Sequence, residues 1–282
     1  MCKDKSAEDI KYNNLKIGII ILNWNNLDNT LECLKHVFLM DYKNIEVLVI
    51  DNGSEENPEN LLKDKFPTIH FIRNWENRGY TGGNNQGINF LLSKPIDWIW
   101  LLNNDAIVEN NCLSNLVDAS HKQKKIGLAS PLIYNNMFEK KLIYCGTSID
   151  IKKGTKKQAR NLEELHQWQK LIPETICLWG TALLINRRLI EEIGLLDEQF
   201  FAYSEDMDYS IRSVNAGYKN IVVDNAKIFH EERDKKHEIF PIYYHYYMIR
   251  NTYFFWKKYN NLKAGFLIDA FYKACSSFIY DD

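Results

Sequence analysis

Apolar residues follow two rhythms along the first half of the chain. Leu15 to Leu22 (LKIGIIIL) and Ile45 to Ile50 (IEVLVI) are short, β-branched and almost unbroken, the pattern of strands covered on both faces. Between them Leu31, Leu34, Val37 and Phe38 recur at helical spacing, with Asp28 or Asn29 placed to cap. The unit reads β-α-β. His70 to Asn74 (HFIRN) and Asp97 to Leu102 (DWIWLL) add two strands around the helix-like Asn84 to Ser93, and Ile126 to Ile133 a fifth after the helix-like Cys112 to Gln123. Such alternation predicts an α/β fold, a mainly parallel sheet with helices on both faces, in which ligands bind beyond the carboxyl ends of the strands.

The polar residues fall at those ends. The first strand runs into Asn23 to Asn26 (NWNN), the second into Asp51 to Ser54 (DNGS) and the fourth into Asn103 to Asp105 (NND). Taken singly, each is also good turn chemistry, since short polar side chains bond their own backbone. Together they line one edge of a sheet with groups suited to a base, a ribose and phosphates. Asn77 to Gly87 (NRGYTGGNNQG) reads as a Gly-rich loop before a helix, where backbone amides can approach an anion, although it matches neither common phosphate-loop pattern.

Composition narrows the classes. The 282 residues suffice for one large or two ordinary domains, and 35 basic against 37 acidic residues give a net charge of −2, which recruits no nucleic acid. Six scattered cysteines without a CxxC pair suit reduced thiols in a cytoplasmic compartment. The charged opening MCKDKSAEDIK and the lack of a long apolar run predict neither a secretion signal nor a spanning helix.

The second half carries acids. Glu205, Asp206 and Asp208 open a helix, where Ser204 can cap, Asp208 can pair with Arg212, and the helix dipole favours ionised carboxylates. A helix cap and a general base both remain open there. His230 ends the strand-like Asn220 to Phe229, as a surface, packed or metal-ligating residue. Ile149 to Lys170 is lysine-rich and reads as an exposed hairpin or loop. Ile242 to Tyr280 mixes aromatics with Arg250, Lys257, Lys258 and Lys263, the composition either of a helix packed on the core or of one lying in a membrane interface.

The ordered set NWN, VIDNGS, NRGYTGGNNQG, LLNNDAIV, GTALLINRRLIEEIGLLDEQFFAYSEDMDYSIR and AKIFH resembles the family-2 glycosyltransferases with the GT-A, Rossmann-like fold, in particular their rhamnosyltransferase-like branch. The resemblance implies a glycosyltransferase domain over residues 15–259, with a tail at 1–14 and a helical extension at 260–282. It implies a nucleotide-diphosphate sugar donor, a divalent cation, Mn²⁺ or Mg²⁺, and an inverting transfer to a hydroxyl of a glycan or lipid-linked acceptor in surface polysaccharide synthesis, at the inner face of a membrane or free in the cytoplasm. Asn103, Asn104 and Asp105 stand in the place of the family's Asp-x-Asp motif; Asn103 departs from it, so Asp105 alone brings charge to the cation, with His230 beside it. Asp51 is implied at the nucleoside, Asn23 near the base, and Asn77, Gly83, Asn85 and Asn104 around the donor. Trp179, Gly180 and Glu205 are implied at the acceptor, and Asp206 as the base. A sugar-nucleotide nucleotidyltransferase and a non-catalytic nucleotide-sugar-binding protein are the alternatives; the first should carry a basic N-terminal loop, which NWNNLDN lacks.

Overall fold

In a computed structural model, residues 15–230, 241–259 and 262 are described. The expected tail at 1–14 and all but one residue of the extension at 260–282 lie outside them.

Both rhythms fold as read. Strands β1 (Ile17–Asn23), β2 (Ile45–Asp51) and β3 (His70–Arg73) alternate with helices α1 (Leu27–Leu39) and α2 (Glu59–Lys65), and α3 (Gly79–Leu92) leads into β4 (Trp98–Asn103). There follow β5 (Ala106–Val108), α4 (Cys112–Lys122), β6 (Ile126–Tyr134) and β7 (Leu142–Tyr144), then β8 (Thr147–Asp150), β9 (Thr155–Gln158) and α5 (Leu162–Leu171). The chain continues through β10 (Ile176–Cys177), β11 (Ala182–Asn186), α6 (Arg187–Ile193), α7 (Glu205–Asn215), β12 (Lys219–His230) and α8 (Ile242–Lys258). The main sheet has nine strands, ordered β3-β2-β1-β4-β11-β6-β12-β5, with β7 on β6. Parallel pairing joins β3, β2, β1 and β4, and again β6 and β12; β11 runs against both its neighbours, and β5 and β7 are antiparallel additions.

The unbroken apolar runs are explained by two cores. Ile17, Ile19, Ile21, Val47, Val49, Trp98 and Trp100 face one core with α1 and α4, whereas Ile20, Leu48, Ile50, Ile99 and Leu101 face the other with α3, α6 and α7. Successive strand residues point to opposite faces, so a sheet buried on both sides needs an apolar residue at every position. Gly18 lets α3 press close: a Cβ there would lie 2.6 Å from Leu91.

Several boundaries differ from the sequence reading. Helix α3 starts at Gly79, so most of the Gly-rich segment is helix and not loop, and Gly83 and Asn85 are buried inside it. Asn26, not Asp28 or Asn29, is the N-cap of α1 and makes no side-chain cap bond. The lysine-rich stretch forms the β8–β9 hairpin, as read, but then a helix, α5, capped by Asn161 and anchored by the buried Leu165. Strand β10 joins that hairpin to a small sheet of order β10-β8-β9. Helix α8 packs on the core through Asn251, Phe255 and Trp256 while Ile242, Tyr243 and Tyr246 remain exposed. No helix among the described residues is long and apolar enough to cross a membrane.

Candidate active site

The tips of β1, β2 and β4 are wired to one another. Asn23 is 1% exposed; its Nδ2 donates to Asp51 Oδ1 at 2.9 Å and Ser54 Oγ at 3.2 Å, and its Oδ1 accepts from Thr30 Oγ1 at 2.8 Å. Asn104 Nδ2 donates in turn to Thr30 Oγ1 at 2.9 Å and to Asn26 O at 3.2 Å. Parallel pairing sets Asn23 directly beside Asp51, which is why residues so distant in sequence share one network. One oxygen is left over. Asp51 Oδ2 is buried and accepts no hydrogen bond, with Arg73 Nε at 3.4 Å, and such an orphaned acceptor costs free energy unless a ligand donates to it.

Asn52 organises the next loop. Its Nδ2 donates to Asn77 Oδ1 at 2.9 Å and Gly79 O at 3.0 Å, and its Oδ1 accepts from Asn74 Nδ2 and Arg78 N. Asn77 also accepts from Gly79 N at 2.8 Å, so this predicted donor residue shapes the start of α3 with its side chain. Asn85 and Gly83 are structural in the same sense. Asn85 exchanges hydrogen bonds with the Leu196 backbone at 2.9 and 3.0 Å and donates to Glu198, while a Cβ on Gly83 would lie 2.5 Å from Leu22. Both lie inside helix α3, where the sequence reading had a loop.

Asp105 and His230 come together at the edge of the sheet. Strand β12 pairs with β5 so that His230 lies opposite Ala106, and its Nε2 is 3.1 Å from Asp105 Oδ1 at the end of β4. Both side chains keep access to solvent, at 39% and 23% exposure for Asp105 and His230. No group of three or more His, Cys, Asp or Glu side chains that could hold a metal occurs among the described residues. The pair offers one hard oxygen and one imidazole, so any ion there would take its remaining ligands from elsewhere.

The Trp179–Thr181 segment joins this edge to the acids. Asn103 N donates to Thr181 O at 2.9 Å; Gly180 O accepts from Tyr80 OH at 2.6 Å, and Gly180 N donates to Asp206 Oδ2 at 2.9 Å. A Cβ on Gly180 would lie 2.9 Å from the Tyr80 hydroxyl, so the clamp requires glycine. Trp179 stacks on Tyr144 with centroids 4.2 Å apart and packs against the core, half-buried.

The three acids of α7 have separate fates. Asp206 stays partly accessible, and its Oδ1 accepts from Met207 N at 2.7 Å. Burial raises its carboxyl above the usual range, against the pull of Gly180 N–H, Lys156 and Met207 N–H. Glu205 is 5% exposed with Oε2 lacking any partner, and burial, with Asp206 adding repulsion, pushes its carboxyl well above the usual range. The expectation that the helix dipole keeps these acids ionised therefore fails for Glu205, and its place at the acceptor is not where the side chain lies: it is turned into the protein. Asp208, fully buried, is compensated by Arg212 Nε at 2.9 Å, Lys258 Nζ at 2.7 Å and Tyr259 OH at 2.8 Å. Ser204 gives no side-chain cap, being in the left-handed region itself.

Beside the strand tips opens a cleft of about 410 Å³, bounded by Trp24, Asn52, Asn77, Tyr80, Phe201 and, from α8, Tyr243 and Tyr247. Thr30 and Lys156 lie outside every candidate of the sequence reading, whereas Asn52 and Tyr80 fall within the DNGS and Gly-rich stretches without a role of their own there. Thr30 occupies a helical position that pattern alone assigns to packing, and Lys156 is carried by β9, whose pairing with β8 has no local signal.

Comparison with solved structures gives the class of protein. A mannosyltransferase from Pyrobaculum calidifontis in complex with GDP-Man and Mn²⁺ superposes with a TM-score of 0.59 at 14% identity, over 87% of this chain and 66% of that one. GalNAc-T7 with UDP, GalNAc and Mn²⁺ gives 0.66 at 19% identity, over 87% and 50%. The fold is thus that of the GT-A glycosyltransferases, and the chain spans about half to two thirds of those structures. The particular family follows from sequence: residues 18–194 match Glycosyl transferase family 2, and the protein belongs to it. Among its relatives, an N-acetylglucosaminyl-diphospho-decaprenol L-rhamnosyltransferase of Mycobacterium tuberculosis is 24% identical over 67% of both chains. A dTDP-rhamnosyl transferase of Shigella flexneri is 22% identical over 87% of this chain and 81% of its own, and a low-salt glycan biosynthesis hexosyltransferase of Haloferax volcanii 23% over 84% and 76%.

Proposed function

We propose that this glycosyltransferase moves a hexosyl or rhamnosyl group from a nucleotide-diphosphate donor to a hydroxyl of a glycan or lipid-linked acceptor, with inversion, in the building of a surface polysaccharide. The observation that carries the reading is the chain of contacts from the wired strand tips through Asn103, Thr181 and Gly180 to the accessible carboxylate of Asp206, with Tyr80, which donates to Gly180 O, lining a nucleotide-sized cleft.

In this reading Asp51, through its Oδ2, which pairs with Arg73 but accepts no hydrogen bond, accepts from the nucleoside, with Asn23 and Asn104 fixing its surroundings. Asp105 and His230 would hold a divalent cation, Mn²⁺ or Mg²⁺, whose diphosphate oxygens and waters complete the shell; bound there it would stabilise negative charge on the leaving diphosphate. Asp206 takes the proton from the acceptor hydroxyl while that oxygen attacks the anomeric carbon from the face opposite the diphosphate. The C–O bond to the acceptor forms as the bond to the diphosphate breaks, and no covalent sugar–protein intermediate is needed. A carboxyl raised towards working pH is a stronger base than an ordinary aspartate, and its two backbone N–H donors keep it aimed. Glu205, buried and unpartnered, is not the base.

The test is release of nucleoside diphosphate from a panel of sugar nucleotides with Mn²⁺ or Mg²⁺ and glycan or polyprenyl-diphosphate acceptors. Acceptor-dependent release with an inverted linkage by NMR supports the reading. Release of pyrophosphate, or donor binding without turnover across the panel, refutes it.

A further inference from the structure

The turn that delivers the acids is held from far along the chain. Tyr203 and Ser204 stand in succession at φ 71° and 77°, left-handed values that residues with side chains rarely adopt and that no glycine relieves here. Helix α7 begins at the next residue, and Asp206 follows. The Ser204 side chain makes no cap bond in this turn.

Asn251, in α8 and without exposed surface, reaches across to it. Its Nδ2 donates to Ala202 O at 2.6 Å and to Tyr203 O at 2.8 Å. Its Oδ1 accepts from Arg250 Nε at 2.9 Å, and a guanidinium can only donate, so the amide has one workable orientation with both N–H bonds on the turn. Arg250 is itself fixed, donating to Gln199 O at 2.8 Å and lying 4.9 Å from the Tyr247 ring centroid. At the far end of the helix Lys258 binds Asp208 and Asp197, each at 2.7 Å. The carbonyls that a left-handed pair turns outwards are therefore met by one buried side chain.

We propose that Asn251 is a positioning residue for the transfer reaction: by holding the carbonyls of Ala202 and Tyr203 it fixes the left-handed turn that sets Asp206 against Gly180 N. This rests on Asp206 being the base. A displacement of α7 by a fraction of an ångström would leave the strand-tip hydrogen bonds intact, because none of them involves this turn, although Ala202 and Tyr203 line the cleft, and would misalign the carboxylate with the acceptor oxygen.

The experiment compares wild type with Asn251→Ala, Asn251→Asp and the double variant Asn251→Ala/Ser204→Gly, glycine being at ease at positive φ. Single-turnover rate, affinity for the nucleoside diphosphate and amide hydrogen exchange are measured on each full-length protein. The single variants should bind nucleotide within about 3-fold of wild type but transfer at least about 10-fold more slowly, the scale of a misplaced reacting group. Exchange at Asp208 N, which donates to Ser204 O at 3.0 Å, should quicken at least about 10-fold against helix α3 as a reference, and Ser204→Gly should restore part of the rate. Transfer within 2-fold of wild type, or rate and nucleotide affinity falling together, overturns the proposal, as does a double variant no faster than Asn251→Ala. Should the single variants fail to fold, the double variant is still required to fold and transfer, and its failure also overturns the proposal. If wild type transfers no sugar across the donor panel, the functional reading fails instead, while the exchange at Asp208 still reports whether Asn251 holds the turn.

Discussion

The two halves of the site are built in opposite ways. On the side read as the donor's, Asn23, Thr30, Asp51 and Asn104 are joined by short side-chain bonds between neighbouring strand ends, Asn52 ties in the next loop through Asn77, and one Asp51 oxygen accepts no hydrogen bond. On the acid side, the buried carboxyl of Glu205 adjoins the partly accessible carboxyl of Asp206, the backbone is left-handed, and the restraint comes from α8. A preorganised polar network stabilises a ground-state ligand, whereas a base of raised pKa stores unfavourable desolvation that only the reaction relieves. The difference predicts that damage to the first half shows in binding and damage to the second in turnover.

The sharpest way to break that division is Asp206→Asn. The amide keeps shape and the acceptor oxygen for Gly180 N, so donor affinity should stay near wild type while turnover falls about 10²-fold or more. Calorimetry and single-turnover kinetics on the same preparation check both halves of the statement. Unchanged turnover would make the acidic group a helix cap and nothing more.

Next in size comes Asp105→Ala. With His230 left alone, Mn²⁺-dependent nucleotide affinity should fall by about 10-fold or more, the scale of losing a charged ligand from the inner shell, and Asn103→Ala should cost only a few-fold. Titration of nucleotide with and without Mn²⁺ separates the variants; equal Mn²⁺ dependence in wild type and Asp105→Ala removes the cation from this site.

Thr30→Val tests the wiring. It removes the hydroxyl that Asn23 and Asn104 share and leaves the buried Asn23 Oδ1 without its donor, at a cost of about 1–3 kcal/mol in stability and a few-fold in donor affinity, with turnover at saturation little changed. Denaturant melts and KM against kcat measure the split.

Smallest is Glu205→Gln, a matter of pH. A carboxyl whose folded pKa is raised binds its proton more tightly folded than unfolded, so its contribution favours folding below the unfolded value of about 4.3 and is lost as pH rises towards the folded pKa. Replacing it by the neutral amide should raise Tm by a few degrees at pH 7 and by nothing below about pH 4. A Tm gain equal at both pH values would mean that packing, not ionisation, governs Glu205.

The same contrast explains what was legible in the sequence. Strand ends announce themselves, because an apolar run that stops at Asn or Asp has a local cause, and Asn23, Asp51 and Asp105 were read in place. His230 was found opposite Asp105 through a resemblance, since pairing between β12 and β5 has no local trace. Gly83 and Asn85 were misplaced because glycines and amides look like a loop; the helix is held there by tertiary contacts with Leu22 and Leu196 that outweigh propensity. Glu205 was misread because a carboxylate in a first turn suggests dipole stabilisation, and burial, which dominates, cannot be counted from spacing. Thr30 and Asn251 left no signal, each being a polar residue in a helix whose partners lie on another element.

Strand β12 carries a further implication. Between Val223 and Lys227 its ladder with β6 skips, so that Asp224, Asn225 and Ala226 have no partner across the strand while Lys227 resumes opposite Leu132. That slack works as a vernier: it decides which residue arrives opposite Ala106, and side chains alternate along a strand, so shortening the excursion by a single residue would aim His230 away from Asp105 and carry Phe229 into its place. The side chain that faces Asp105 is thus set by the length of a three-residue irregularity elsewhere in the strand.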